Sequence, residues 1–425
     1  MTASAKVRAA LLAGAVLLGL TAGGCSSAPD TAAPTTSDIR ALLARHGKAV
    51  LAHDRKAFLA DVDTAHATAG FRSRQAGEFA NLVQLPLTTW SYTVESNGGD
   101  QEAAAAVSKK YGSTAVIMRI ELRFALRGVD RIPTRHELWW TFVRHDGKVV
   151  IAGDDDLADA GGISWQGPWD FGPLDIVSTP SSLVLGHVDQ DVAVHAVAGI
   201  VQAAVPAVSA VWGDDWTRDV EVVVPSSAQE LNAQTGQFAG SSGAQVAALA
   251  ISDGQDPVTG AVYGQRLIVN PAALARLSAI GKQITVRHEV THIADAAATT
   301  DATPRWLDEG FADYVGNLHS GQPVTTAASE LRADVRRGQL PVTLPSDASF
   351  DAQGESAQAY EGAWLACRLI AAKIGQAGLV RFYKTVGASP DEPDAAVAGA
   401  LRSLLHESTA QFTAQWRAYL KSQLG

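Results

Sequence analysis

His288-Glu289-Val290-Thr291-His292, followed by Trp306-Leu307-Asp308-Glu309-Gly310-Phe311-Ala312-Asp313, is the stretch on which the fold of this chain turns. Residues four apart share one face of an α-helix, so His288 and His292 can grip a single metal ion. Glu289 lies beside that face, where it reaches a water held by the metal rather than the metal itself. Ile284, Val286, Val290, Ile293 and Ala297 supply an apolar stripe next to the imidazoles, and Ile280-Gly281-Lys282 reads as a break before the helix. Thr303-Pro304 then offers an N-cap and a Pro at the first position of a second helix, on which Glu309 and Asp313 share a face.

Three protein ligands and one open position make a catalytic zinc site. Glu309 is the third ligand that this spacing favours. Asp295 lies one turn past His292 on the same helix, too local to close a tetrahedron well, and Asp308 points about 100° away from Glu309. Asp313 is placed to accept a hydrogen bond from the free ring nitrogen of His288. The rival H-E-x-x-H-x-x-G-x-x-H pattern fails, because Asp295 and Ala298 stand where it needs Gly and His.

The same residues resemble the gluzincin metallopeptidases, specifically the bacterial peptidase MA-like group, over roughly residues 180–425. The resemblance implies one Zn2+ held by His288, His292 and Glu309, with Glu289 as the general base that activates the zinc-bound water against a peptide bond. It also implies a downstream tyrosine that stabilises the oxyanion, and Tyr360 in Tyr360-Glu361-Gly362-Ala363-Trp364-Leu365 matches it, with Ala363 at the small position. The Gly-Ala-Met-Glu-Asn signature of the aminopeptidase branch is missing. Arg266-Leu-Ile-Val-Asn270 reads as a strand, and an edge strand of such a fold aligns an extended substrate by backbone pairing. A catalytically inactive binding lipoprotein and a zinc amidohydrolase acting on cell-wall peptides are the two other functions open to these residues.

Lys6 and Arg8 precede an apolar run from Ala9 to Leu20, too short to span a bilayer and of the right length for a signal peptide. Ala22-Gly23-Gly24-Cys25 resembles a bacterial lipobox, which implies cleavage before Cys25, lipidation of its thiol and attachment to the extracytoplasmic face of the membrane. No other stretch reads as a span. Ser26 to Ser37 has the composition of a flexible tether. Cys367 is then the one remaining cysteine, which excludes an intramolecular disulfide and suits a core position. Loss of Lys6 and Arg8 takes the formal charge from −10 to −12, which opposes nucleic-acid binding. A peptide or protein substrate is the expected partner.

The expected fold class is α+β, in five segments. These are a signal peptide (1–24), a tether (25–36), an N-terminal α+β domain (37–165), a junction (166–180) and the zincin-type domain (181–425), which has a mixed sheet and a mostly helical C-terminal half. In the N-terminal block, helices over Ile39–His53 and Arg55–Asp63 precede alternating runs such as Trp90-Tyr92-Val94 and Val116-Met118-Ile120-Leu122-Phe124. Asp146-Gly147 marks a hairpin turn. Helices followed by a curved antiparallel sheet resemble the cone-shaped nuclear-transport-factor-2-like fold. Asp154-Asp155-Asp156 reads as a solvated turn, and Thr235 to Gly243 as a mobile loop near the cleft.

Overall fold

The computed structural model describes residues 32–65, 67–97, 101–112, 114–236, 246–256, 258–352 and 356–425. The signal segment, Cys25 and its lipidation, most of the tether and 237–243 of the Gly/Ser-rich loop lie outside the described residues.

Thr35 opens the first helix, α1 (Thr36–Leu51), in a capping box with Asp38 that satisfies both backbone N–H groups. Two more helices follow, α2 (Arg55–Leu59) and α3 (Ala69–Leu82). The sequence pattern predicts only two, the second running to Asp63. Asp61 and Val62 instead leave the helix to join the sheet, the Ile151 N–H donating to the Asp61 carbonyl. α3 escapes notice because Gly70, Gly77 and polar residues dilute its apolar positions Phe71, Phe79 and Leu82. β1 (Leu87–Asn97), α4 (Gln101–Tyr111), β2 (Val116–Leu126), β3 (Thr134–His145) and β4 (Lys148–Gly153) complete this unit, the strands pairing antiparallel in chain order. Ile120, Leu122, Phe124, Leu138 and Phe142 face a common core with Ile39, Leu42 and Phe79. Asp146 and Gly147 take positive φ (48° and 73°), as a two-residue hairpin turn demands. Asp156 departs from the expected solvated turn. Its side chain is 2 % exposed and accepts from Lys110 Nζ and the Tyr111 hydroxyl.

Pro168–Asp170 forms a short turn of 3₁₀-helix with Trp169 buried. β5 (Leu174–Thr179) begins within the stretch read as a junction and is already part of the second sheet. β6 (Ser182–His187), α5 (Asp191–Trp212), β7 (Val220–Val223), α6 (Ala228–Thr235), β8 (Ala248–Ile251), β9 (Gly254–Gln255), β10 (Val262–Tyr263) and β11 (Arg266–Val269) follow. The second sheet has the order β5-β6-β7-β11-β8, parallel in its centre with antiparallel strands at both edges, so it is mixed. β11 is therefore interior. The edge strand beside it is β8.

Both faces of this sheet are covered, and its central strands β6, β7 and β11 are buried and largely apolar, as such burial requires. Val184, Val222, Leu267 and Val269 pack under α5 and the helices that carry His288 and Glu309. On the opposite face Leu183 and Leu185 enter the N-terminal core, and Val223 and Ile268 meet Leu231 of α6. The stretch Val188–Trp212, which contains α5, is long and apolar enough to cross a membrane, contrary to the sequence expectation. Here Val194, Val197, Val201, Val205 and Val208 form a buried stripe of core helix.

The remainder is helical, in accord with the expected fold class: α7 (Pro271–Ala275), α8 (Ala279–Asp295), α9 (Arg305–Asn317), α10 (Val324–Ala327), α11 (Ser329–Arg336), α12 (Ser356–Ile374), α13 (Gln376–Gly387), α14 (Pro393–Ala400) and α15 (Thr409–Leu424). Cys367 is buried in α12. α9 crosses α12 at Gly310, where an added Cβ would stand 2.5 Å from the Ala363 carbonyl oxygen and 3.1 Å from its Cβ. This explains why position 363 is small. Gly310→Ala is expected to cost about 1–3 kcal/mol, read as a lower urea midpoint, because backbone rather than a flexible side chain must yield. An unchanged midpoint would show that the crossing is looser than described.

Candidate metal centre

Ser278 caps α8, its hydroxyl accepting from the Gly281 N–H at 3.0 Å, so Ile280-Gly281-Lys282 forms the first turn rather than a break. α9 starts one residue later than expected. Pro304 is its N-cap, and Thr303 accepts from Thr300 N–H instead of capping. The Arg305 N–H is satisfied from a distance by Asp347 Oδ1 at 3.0 Å.

The two helices bring the expected ligands together. His288 Nε2 and His292 Nε2 lie 3.1 Å apart, and Glu309 Oε2 is 3.3 Å from the first and 3.6 Å from the second. A tetrahedron with metal–ligand bonds of 2.0–2.1 Å has edges of about 3.3 Å, so this donor set fits a zinc ion without rearrangement. Behind it, Asp313 Oδ1 stands 2.9 Å from His288 Nδ1, the partner read from the spacing. Gly316 lets α9 come this close to α8, since a Cβ there would lie 2.9 Å from the Ile284 carbonyl oxygen.

Other groups that complete the site were not foreseen. Asp308 Oδ1 lies 3.4 Å from His292 Nδ1 and accepts from the Tyr383 hydroxyl at 2.7 Å. The roughly 100° offset that rules Asp308 out as a ligand alongside Glu309 turns it toward the second imidazole. Tyr383 itself, which also bonds Thr299 Oγ1 at 2.7 Å, sits 75 residues downstream with no local signal. Arg305 Nε approaches the other Glu309 oxygen at 3.6 Å and lies over the Phe350 ring. Asp295 is buried, and burial together with the charge of Asp308 pushes its carboxyl well above the usual range. His292, Asp295 and Asp308 also bring donor atoms within 4.8 Å, but Asp308 already holds Tyr383, and this trio lacks His288.

The electrostatics call for positive charge. Burial alone would lower both imidazole pKa values, yet Asp313 and Glu309 raise His288 to about 10, and Asp308 and Glu309 raise His292 well above its ordinary value. Glu309 is held low against its burial by hydrogen bonds from the two imidazoles. A carboxylate-rich pocket that holds protons on its imidazoles this firmly also favours a dication in their place. Glu289 is different. Burial raises it, and its Oε2 accepts from the Ala250 N–H of edge strand β8 at 2.8 Å.

Glu289, the three ligands, Arg305 and Tyr360 line one cleft of about 710 Å³, bordered by β8 from Ala248 to Ala250. Tyr360 stands in the first turns of α12 with its ring edge-on to Phe350 at 5.0 Å. Burial and the charge of Glu309 raise its phenol, and Arg305 opposes this.

No protein-family model and no curated protein matches the chain. Solved structures do. A two-domain M1 zinc metallopeptidase mutant bound to L-arginine is 14 % identical at a TM-score of 0.35, over 67 % of this chain and 60 % of that one. The M1 zinc metallopeptidase of Deinococcus radiodurans is 16 % identical at a TM-score of 0.34, over 73 % of this chain and 61 % of that one. A mutant of the enzyme from the same organism is 16 % identical at a TM-score of 0.34, over 59 % and 53 %. The chain thus spans between half and two thirds of the length of these proteins.

Asp313→Asn and Asp308→Asn are each expected to weaken zinc binding about 10- to 100-fold while leaving the ligands in place. Competition against a chromophoric chelator measures this, and unchanged affinity in both variants would contradict the roles assigned to these carboxylates.

Proposed function

We propose that this chain is a zinc-dependent peptidase that hydrolyses peptide bonds in extracytoplasmic proteins or peptides while anchored to the membrane by lipid on Cys25. The observation that carries the proposal is the convergence of His288 Nε2, His292 Nε2 and Glu309 Oε2 at tetrahedral edge lengths, with Glu289 beside them in an open cleft. Zinc bound there supplies a Lewis acid that lowers the pKa of water to about 7 and polarises a carbonyl.

The protein's own groups do the rest. Asp313 and Asp308 fix the two rings so that Nε2 of each faces the metal position. Glu289, whose carboxyl burial raises above its usual value, takes the proton of the attacking water and returns it to the leaving amine. Tyr360 donates its hydroxyl to the carbonyl oxygen as negative charge develops there. β8 borders the cleft as an edge strand, and its backbone aligns an extended peptide without strong side-chain selection. Anchoring follows from the lipobox-like Ala22-Gly23-Gly24-Cys25.

Purified protein and its Glu289→Gln variant, loaded with zinc, provide the test on casein and on peptidoglycan fragments. Both are expected to bind one zinc, and only the wild type to cleave casein, with a loss of about 10²- to 10⁴-fold in the variant. Cleavage of peptidoglycan fragments alone would make the chain an amidohydrolase, and equal proteolysis by both proteins would remove Glu289 from the chemistry.

A further inference from the structure

The N-terminal unit holds a second cavity of about 340 Å³, remote in sequence from the metal site, lined by residues of α3, the first sheet, the segment 154–170 that follows β4, and Gln229 of α6. Its volume is at the lower end of the range for small-molecule sites. Trp90, Tyr92, Trp140, Trp165 and Trp169 supply aromatic walls. These walls are rigid. Trp165 lies flat on His136, ring centres 3.6 Å apart and planes 5° from parallel, and Trp169 stands edge-on to both Trp165 and Trp90. Trp90 Nε1 donates to the Tyr92 hydroxyl at 2.7 Å, which fixes that pair.

The polar part of the lining is acidic. Four carboxylates, Glu78, Asp154, Asp155 and Asp170, face the cavity against one cation, Arg74. Arg74 is committed to Asp154 at 2.6 Å, with its own side chain 43 % exposed. Glu78 is 8 % exposed and accepts from Gln75 Nε2 at 2.6 Å, and Asp170 accepts from the Gly167 N–H at 2.8 Å. Gln75 is 4 % exposed, and its Oε1, a hydrogen-bond acceptor, has no partner among the described residues. Buried carboxylates without a counter-charge are costly, as is an unpaired buried amide oxygen.

We propose that this cavity binds a small organic cation, an ammonium or guanidinium group on a compact apolar frame. Electron-rich ring faces attract such a cation, carboxylates neutralise it, and an N–H of the cation satisfies an acceptor such as Gln75 Oε1. The electrostatics of the lining agree. Burial, with the charges of neighbouring carboxylates, pushes Glu78 well up and Asp170 to about 7, a penalty that a cation relieves. A neutral saccharide would also stack on tryptophan, but it leaves the acidic charge unmet. An anion would face a net excess of like charge.

Choline, agmatine, the uncharged choline isostere 3,3-dimethylbutan-1-ol and glucose serve as probes of the full chain, by calorimetry and tryptophan fluorescence. At least one cation is expected to bind about tenfold or more tightly than both neutral probes, before and after metal chelation. Glu78→Gln and Asp170→Asn keep side-chain shape and remove a desolvated acidic group that a bound cation would ionise, so both are expected to melt no lower than wild type yet bind the cation about tenfold more weakly. Trp165→Leu, with the walls left apolar, is expected to weaken it about fivefold or more. Binding of the neutral probes as tight as that of the cations, affinity unchanged in all three variants, or no cation binding at ~10 mM would each overturn the proposal.

Discussion

The C-terminal half is organised around one close approach. Three carboxylates of α9 meet two imidazoles of α8 there. The approach is possible because Gly316 faces the α8 backbone and Gly310 faces α12, so α9 is clasped between neighbours that leave no room for a Cβ. Once there, Asp308, Glu309 and Asp313 surround His288 and His292 with more negative charge than the two rings can hold without protons or a metal. Such clusters are unfavourable for folding alone, and this one lines an open cleft, the setting in which perturbed acids and imidazoles mark a candidate site.

The parts of this centre that were legible in the sequence are those set by helical periodicity. His288 and His292 are four apart, as are Glu309 and Asp313, and both pairs fall where a 3.6-residue repeat puts them on one face. Asp308 was legible as a position but not as a role, since its partner His292 belongs to another helix whose crossing angle the sequence does not give. Tyr383, Arg305 and the Asp347 cap reach the centre through tertiary packing and leave no local trace. The strand beside the cleft was misplaced for a related reason. Arg266–Val269 carries the stronger strand signal because it is buried on both sides, whereas β8, Ala248–Ile251, is a short alanine-rich edge with little β-propensity. The mostly helical character of the C-terminal half showed in the sequence. The sparse α3 did not.

The two units are joined through the second sheet rather than by a loose linker. Leu174, Leu183 and Leu185 belong to the N-terminal core although their strands belong to the second sheet. Arg266 of β11 pairs with Asp253 at 2.7 Å, and Asp253 in turn accepts from Thr134 at 2.8 Å and lies 3.2 Å from His136, both on β3. Nearby Glu221 is buried on β7, and its carboxyl is pushed up to about 8 by burial and then by Asp130. The same His136 backs Trp165 in the wall of the aromatic cavity, so one continuous set of contacts runs from that cavity through β3 to β11, the neighbour of the cleft's edge strand.

The zinc K-edge X-ray absorption spectrum of the metal-loaded full chain tests the central claim most directly. Two imidazole nitrogens with oxygen donors completing the shell, all at about 2.0–2.1 Å, are the predicted result. A shell containing sulfur, fewer than two imidazoles, or protein that takes up no zinc would contradict the assignment of His288, His292 and Glu309 as the metal centre.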